Sequence, residues 1–175
     1  MKKLLKPLIY FHVLIALIIL FLPKYNLYYA FEEVLHEQKI YLSNETIIDR
    51  GFSLDIQNTD IAFEQLNLAQ VDNIKVSIWG FANGVRMENI HINKGFADFL
   101  PLEIDKIQVI HLLYNPMILD IKGESSQGFF FGSVDLLERK LLVHVRLDAA
   151  AQKKYPGILS RLTSEEGGHY YEYQF

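Results

Sequence analysis

The chain has 175 residues, no cysteine and a formal net charge of −4, which excludes disulfides and cysteine chemistry and makes nucleic acid a poor partner. Aromatic residues make up 13% of the chain, which favours strands and apolar contact surfaces over a helical bundle. About 150 residues follow an apolar N-terminal run, enough for one domain with its own core.

The run from Leu8 to Leu22 contains no charge, and twelve of its fifteen residues are Leu, Ile, Phe or Val. Inserting those twelve into a bilayer is favourable by about 4 to 7 kcal/mol. The alternative is a cleaved signal peptide, but the residues after Pro23 lack the small-residue cleavage pattern. We therefore predict a transmembrane helix within residues 1–24. The anchor residues are Leu8, Ile9, Phe11, Leu14, Ile18, Phe21 and Leu22.

Charge on either side of the run predicts its orientation. Lys2, Lys3 and Lys6 precede it, whereas Lys24 and then Glu32 and Glu33 follow it. The positive-inside rule then places the N-terminus in the cytoplasm. The sequence thus predicts a single-pass protein of a bacterial inner membrane, with the C-terminal domain in the periplasm.

Residues 25–50 are predicted to form a juxtamembrane helix and a connector. Leu27, Phe31, Val34 and Leu35 lie on one helical stripe, mostly opposite acidic residues. A helix lying on a membrane surface needs a basic polar face, so we expect this stripe to pack on the domain. Turn-forming residues then mark a connection from Lys39 to Gly51.

From residue 51 to 175 the apolar period is mostly two, which predicts a β-rich domain. The expected breaks are a turn at Asn58, a β-bulge at Glu64 and Gln65, a hairpin turn at Asn83 and Gly84, and turns at Asn115–Pro116, Gly123–Gly128 and Glu138–Lys140. Asp148 is expected to cap a helix that breaks at Pro156, and His169–Phe175 to form the last strand. The fold class is mainly β: a transmembrane helix, a curved antiparallel sheet or open half-barrel, and one or two short helices.

The sequence contains no motif that carries chemistry. Its six histidines have no metal-ligand spacing, no glycine-rich phosphate loop opens a helix, and no nucleophile motif is present. We expect a protein that is not an enzyme and needs no cofactor or metal.

Large aromatic residues are the more suggestive feature. The candidate groove or partner surface comprises Trp79, Phe81, Phe129, Phe131, Tyr171 and Tyr173. Alternation sends Phe130 to the face opposite its neighbours, so that strand is apolar on both faces and must be covered or must present one face to lipid or a partner. The other interpretation is an ordinary core covered by the C-terminal helix.

The stretch from Leu100 to Asp148 resembles repeating units of the AsmA-like superfamily, and in particular type II secretion system protein N. The resemblance is carried by a strand that returns after a polar turn as G-x-x-x-G-x-hydrophobic-D-hydrophobic, here Gly128, Gly132, Val134, Asp135 and Leu136. Val85–Asn93 and Tyr155–Phe175 are similar in a looser way. The resemblance implies a non-enzymatic, membrane-tethered periplasmic component of a secretion system or envelope assembly, or a short lipid-handling relative.

Two functions remain open from the sequence. The first is an accessory or scaffold subunit of a cell-envelope machine (secretion system, pilus or flagellar motor), whose last strand is a free edge for another chain. The second is lipid or hydrophobic-ligand binding on the concave face of the sheet. The expected partners are the lipid bilayer and other envelope-complex subunits, with lipid as the ligand of the second function, and nucleic acid is not expected.

Overall fold

The structure is a computed structural model that describes residues 2–96 and 103–175. The helices within these ranges are α1 (Lys2–Phe21), α2 (Lys24–Glu37), α3 (Ala149–Lys154) and α4 (Pro156–Leu159), with a 3₁₀ turn at Lys94–Phe96. The strands are β1 (Ile40–Ser43), β2 (Thr46–Asp49), β3 (Ser53–Phe63), β4 (Leu66–Ile78), β5 (Ala82–Ile92), β6 (Glu103–Leu112), β7 (Asn115–Ser125), β8 (Gly128–Asp135), β9 (Lys140–Leu147), β10 (Thr163–Glu165) and β11 (Gly168–Gln174).

The eleven strands in the described residues form one antiparallel sheet that does not close. From β3 to β9 each strand pairs with the next in sequence, and then β11 pairs with β9 while β10 lies outside β11. At the other edge, β1 and β2 pair in tandem along β3, with Asp60–Phe63 and Leu54–Gln57 respectively. The predicted mainly-β fold, with an open antiparallel sheet and few helices, is confirmed.

The segment predicted as a connector from Lys39 to Gly51 contains strands β1 and β2. Each has only four residues, too few for the apolar alternation to be recognised. Leu42 and Ile47 pack against the same core as the rest of the sheet. Residues 25–50 therefore contribute to the core and do more than connect.

One face of the sheet is apolar along most of its width, because residues paired across antiparallel strands point to the same side. One row on this face runs from β3 to β11: Leu54, Val76, Val85, Val109, Ile121, Gly132, Val143 and Tyr171. The buried core lies on this face over β3, β4 and β5, and Tyr28 of α2 belongs to the same buried cluster as Leu54 and Ile56.

Four aligned Asn and Asp residues, one in each of the strands β3 to β6, interrupt the alternation of side chains. After each of them, the residues that face the core change from odd to even positions or the reverse. They are Asn58, Asp72, Asn89 and Asp105. Val71 and Ile74, on either side of Asp72, both enter the core. Asn58 and Asn89 adopt φ of 56° and 54°, a left-handed conformation that Asn tolerates better than most residues. The turn predicted at Asn58 is therefore wrong, since Asn58 lies inside β3.

Several of the predicted breaks need correction in position, among them the β-bulge and the hairpin turn. Glu64 and Gln65 form the β3–β4 turn, and the register shift lies next to it, between Ile61 and Ala62. The hairpin predicted at Asn83 and Gly84 exists, but its turn spans Trp79–Phe81. The Asn83 side chain accepts hydrogen bonds from the backbone N–H groups of Trp79 and Gly80, both at 3.2 Å, and so closes the turn from within β5.

The C-terminal helical segment follows the prediction. The Asp148 carboxylate accepts the Ala151 N–H at 2.6 Å and caps α3, and the chain restarts as α4 at Pro156. Ala151 and Tyr155 are buried.

The uncharged run is helical, as predicted, but in residues 2–96 and 103–175 no single helix has both the length and the hydropathy to cross a membrane. The part of α1 from Lys6 to Phe21 and α2 meet that requirement together, bent by 60°. Pro23 separates them because it has no backbone N–H to continue a helix.

Helix α2 packs on the sheet, although not mainly through the predicted stripe. Lys24 and Tyr28 are buried, whereas Leu35 of the stripe is half-buried and Leu27, Phe31 and Val34 are exposed. The bond from the Tyr28 hydroxyl to Glu45, at 3.1 Å, and the contact of Lys24 with Asp49 fix this rotation. Burial, followed by the Glu45 carboxylate, raises the pKa of the Tyr28 hydroxyl, which therefore stays protonated and donates.

Candidate functional site

The six aromatic residues predicted to form one groove or partner surface lie in three separate places. Trp79 and Phe81 belong to the β4–β5 turn, Phe129 and Phe131 lie on one face of β8, and Tyr171 and Tyr173 lie on the opposite face of the sheet, on β11. The structure does not bring them together into one surface.

Phe129 and Phe131 lie on the more polar face of the sheet. Phe131 pairs with Lys122 and His144, whereas its neighbour Phe130 pairs with Gly123 and Val145 on the apolar face. Alternation correctly predicts that Phe130 points the other way. It cannot predict which side is apolar, because that depends on pairing with β7 and β9.

The polar face around Phe131 carries a stacked cluster. The His144 ring stacks on Phe131 at 5.1 Å between centroids, and its Nδ1 lies 2.8 Å from the Glu165 carboxylate of β10. The Arg146 guanidinium lies 5.9 Å from the Phe129 ring centroid and 6.0 Å from that of Phe131. These contacts flank the Phe rings, which stay exposed, and tie β10 to β9.

Tyr171 and Tyr173 lie beside an open stretch of sheet edge. β10 pairs only with Gly168–Tyr170, and no described strand pairs with Tyr171–Gln174 on that side. The Phe175 N–H donates to Arg139 O at 2.9 Å, next to β9. Because hydrogen-bonding direction alternates along an antiparallel strand, Tyr171 and Tyr173 turn their backbone groups toward β9, whereas Glu172 and Gln174 turn theirs toward the open edge. The last strand is thus a free edge only beyond Tyr170.

The apolar face remains partly exposed away from the core. Val109, Ile121, Val134 and Val143 are half-buried, and Tyr171 is exposed. This surface leads across the sheet to the open edge of β11, so the apolar face and the unpaired backbone adjoin each other.

Trp79 and Phe81 belong to a row of exposed apolar residues at one end of the sheet, which the sequence analysis missed. We call this row the anchor-side rim, after α1, the helix that the sequence predicts to be an anchor. It comprises Trp79, Phe81, Leu113, Tyr114, Leu136, Leu137 and Phe175. Large apolar residues at turn positions of every second hairpin are the sequence signal that could have identified it.

The end of α1 lies at this same end of the sheet. A Cβ added to Gly51 would lie 2.8 Å from the Leu20 side chain, and one added to Gly80 would lie 3.6 Å from Ile19. Phe52, which follows Gly51, stacks on Trp79 at 5.1 Å. Of the seven predicted anchor residues, Leu22 is half-buried and the other six are exposed.

A shallow cavity of about 430 Å³ lies on the polar face just inside this rim. Phe52 and Trp79 form its wall, and Lys75, Arg86 and Gln108 line its floor. The cavity thus contains two cations, Lys75 and Arg86. The Arg86 guanidinium lies 3.7 Å from the Glu88 carboxylate, so one of the two already has an acidic neighbour.

In the described part of the chain no group of three or more His, Asp or Glu side chains is arranged to hold a metal ion. No protein-family profile, curated protein or solved structure matches the sequence or fold of this chain. The described structure therefore presents three candidate binding surfaces: an open strand edge, a partly exposed apolar face and an apolar rim next to α1.

Proposed function

We propose that this chain is a bitopic inner-membrane protein whose periplasmic β-domain is a non-enzymatic accessory or scaffold subunit of a cell-envelope machine, such as a secretion system, pilus or flagellar motor. In this proposal α1 is the anchor, and because no single described helix has the length and hydropathy of a full span, the ends of its uncharged run lie at the level of the lipid headgroups. Its uncharged run and its exposed apolar side chains support that role. α2 packs through Tyr28 on the sheet, so it stays outside the bilayer core. The three lysines before the run support a cytoplasmic N-terminus.

The observation that carries the proposal is the open edge at Tyr171–Gln174. At the opposite edge of the sheet, β1 and β2 fill both halves of β3, whereas β10 pairs with only the first half of β11. An extended segment of a partner could pair with the outward backbone groups of Glu172 and Gln174. Its alternate side chains would then continue the apolar face beside Tyr171 and Tyr173.

A photo-crosslinking amino acid placed in the cell at Tyr173 tests this proposal. We expect it to capture one defined envelope protein, because Tyr173 borders the open edge. The same amino acid at Phe131 is the matched control, since Phe131 is similarly exposed but lies two strands inward on the other face. Self-adducts alone, or no adduct, at Tyr173 would contradict the proposal.

Proline substitution separates edge pairing from side-chain contact. Gln174→Pro removes a backbone N–H that points to the open edge, so the adduct should be lost while the fold is retained. Tyr173→Pro instead removes an N–H that faces β9 and should destabilise the end of the sheet. An adduct that survives Gln174→Pro unchanged would show that the partner does not pair with this edge.

Binding of a lipid or another hydrophobic ligand is the second candidate, favoured by the partly exposed apolar face of β6–β9. The cluster at Phe129 and Phe131 gives it no support, because those rings lie on the other face. Mass spectrometry of the protein purified in mild detergent tests it. Ile121→Asp on the apolar face should release a co-purified lipid, and Lys122→Asp, on the neighbouring residue of the polar face, should not. Absence of any stoichiometric lipid would remove this candidate.

A further inference from the structure

The seven residues of the anchor-side rim form a continuous line, because the turns that carry them are bonded to one another. The Leu113 N–H donates to Phe81 O at 3.0 Å, joining the β4–β5 turn to the β6–β7 turn. The Leu136 N–H donates to Met117 O at 2.8 Å, joining β7 to the β8–β9 turn. The Phe175 bond to Arg139 then joins the C-terminal end of β11. The rim therefore extends from β4 to β11.

The side chains of the rim are apolar, and several of them are strongly exposed to solvent. Phe81, Leu137 and Tyr114 are 70%, 77% and 84% exposed. The fully described turns at the other end of the sheet are polar, namely Glu64–Gln65, Ser126–Gln127 and Glu166–Gly167. Phe63 and Leu66, which flank the first of these, are exposed apolar residues at that end. Among the turns that the structure fully describes, the hydrophobic ones therefore lie at the end where α1 arrives.

The position of α1 identifies what this end meets. Leu20 packs at Gly51 and Ile19 near Gly80, within the two loops next to Trp79. If α1 is anchored in a bilayer, the bilayer surface begins at these loops. Trp and Tyr suit the headgroup level, and Leu and Phe suit the adjoining acyl chains. Arg50 and Arg139 lie in turns at the same end, where anionic headgroups attract cations, whereas Glu138 is an acid in the β8–β9 turn.

We propose that the anchor-side rim rests in the interface of the bilayer that holds α1, so that the sheet is seated on the membrane along the line of tips from Trp79 to Phe175. This inference rests on the proposed membrane anchoring by α1 and adds a second, independent contact with lipid. It fixes which end of the sheet faces the membrane and leaves the open edge of β11 beside the bilayer surface.

Tryptophan fluorescence tests the seating, because Trp79 is the only tryptophan in the chain. The full chain is reconstituted into vesicles of phosphatidylcholine and phosphatidylglycerol, with bromine near the headgroup end of the acyl chains. Two further proteins carry Trp79→Phe together with either Leu137→Trp or Leu66→Trp. Leu137 lies at the far end of the rim and Leu66 at the opposite end of the sheet, and both are exposed leucines next to turns.

We expect brominated lipid to reduce emission by about half for Trp79 and for Leu137→Trp, and to leave Leu66→Trp nearly unchanged. Quenching of Trp79 alone would overturn the proposal, because only the loop next to α1 would then touch lipid. A blue-shifted but unquenched Leu137→Trp would also overturn it, because a protein would then cover the rim.

Vesicle flotation distinguishes this proposal from the one on which it rests. Chains that float, with Leu137→Trp no more quenched than Leu66→Trp, keep the anchor and refute the seating. If the chains do not float, the proposal that α1 is a membrane anchor is refuted, and so is the proposal that the rim rests on the membrane.

Discussion

The Lys24 ammonium lies 3.4 Å from the Asp49 carboxylate and joins the start of α2 to the end of β2. The same ammonium also donates to the backbone oxygens of Leu20 and Leu22 at the end of α1, at 3.4 and 3.3 Å. Lys24 is 1% exposed and Asp49 29%. One buried cation thus fixes the bend between the two helices against the sheet.

Asp49→Asn should destabilise the protein by about 1 to 3 kcal/mol, because it leaves the buried ammonium without its counter-charge. Lys24→Met should be less harmful than Asp49→Asn, since it removes the charge and fills the same space. Thermal unfolding of the full chain in detergent, followed by circular dichroism, measures both.

The exposed pair Lys39 and Glu64 is the control for that measurement, because its atoms are closer, at 2.6 Å, but both side chains are solvated. Glu64→Gln should change stability by less than about 0.5 kcal/mol. An effect of Asp49→Asn no larger than that of Glu64→Gln would contradict the structural role of Lys24.

Asn83→Ala should loosen the turn that presents Trp79 at the rim. It removes the acceptor for the Trp79 and Gly80 N–H groups, with a loss of about 0.5 to 1.5 kcal/mol. The fluorescence anisotropy of Trp79 should fall at the same time. Asn83→Asp keeps the accepting oxygen and should preserve the anisotropy; a fall equal to that of Asn83→Ala would contradict this role of the side chain.

The strands and the capped helix could be predicted because their signals are local. Alternation of apolar residues predicts β3 to β9 and β11, and Asp148 predicts the start of α3 as its N-cap. The position of a turn is harder to predict where a side chain outside the turn hydrogen-bonds to its backbone. Asn83 was interpreted as a turn residue, whereas its amide oxygen closes a turn three residues earlier.

The candidate surface could not be predicted from the sequence, because it depends on which strand pairs with which. The alternation around Phe130 defines two faces without saying which is apolar, and only the pairing of Gly132 with Ile121 and Val143 decides it. The open edge depends in the same way on β10, whose three residues carry little sequence signal. Leu113 and Leu137 were overlooked because apolar residues were assigned to strands and turns were assumed to be polar.

Gly132→Ala should disrupt the pairing of β8 with β9. A Cβ at this position would overlap the Leu142 carbonyl oxygen and lie 2.8 Å from the Val143 Cα, so the backbone of β9 would have to move. Gly123→Ala would overlap only the Phe130 ring, which can rotate away. We expect Gly132→Ala to cost more than about 2 kcal/mol of unfolding free energy and Gly123→Ala clearly less. Equal losses would mean that the two strands separate easily at Gly132.

Tyr155→Phe should stabilise the protein, by about 1 kcal/mol, which is unusual for a substitution at a buried site. Tyr155 is 1% exposed, and its hydroxyl oxygen is buried without a hydrogen-bond partner among the described residues. Removing the hydroxyl keeps the ring that packs beneath Lys154 and eliminates the unsatisfied polar atom. Tyr155→Leu is the control, since it leaves a cavity and should destabilise by about 2 kcal/mol or more. Thermal unfolding in detergent measures both changes. A loss of stability in Tyr155→Phe would contradict this prediction. It would show that the hydroxyl has a hydrogen-bond partner in solution, and that a polar contact holds Tyr155 between α3 and α4.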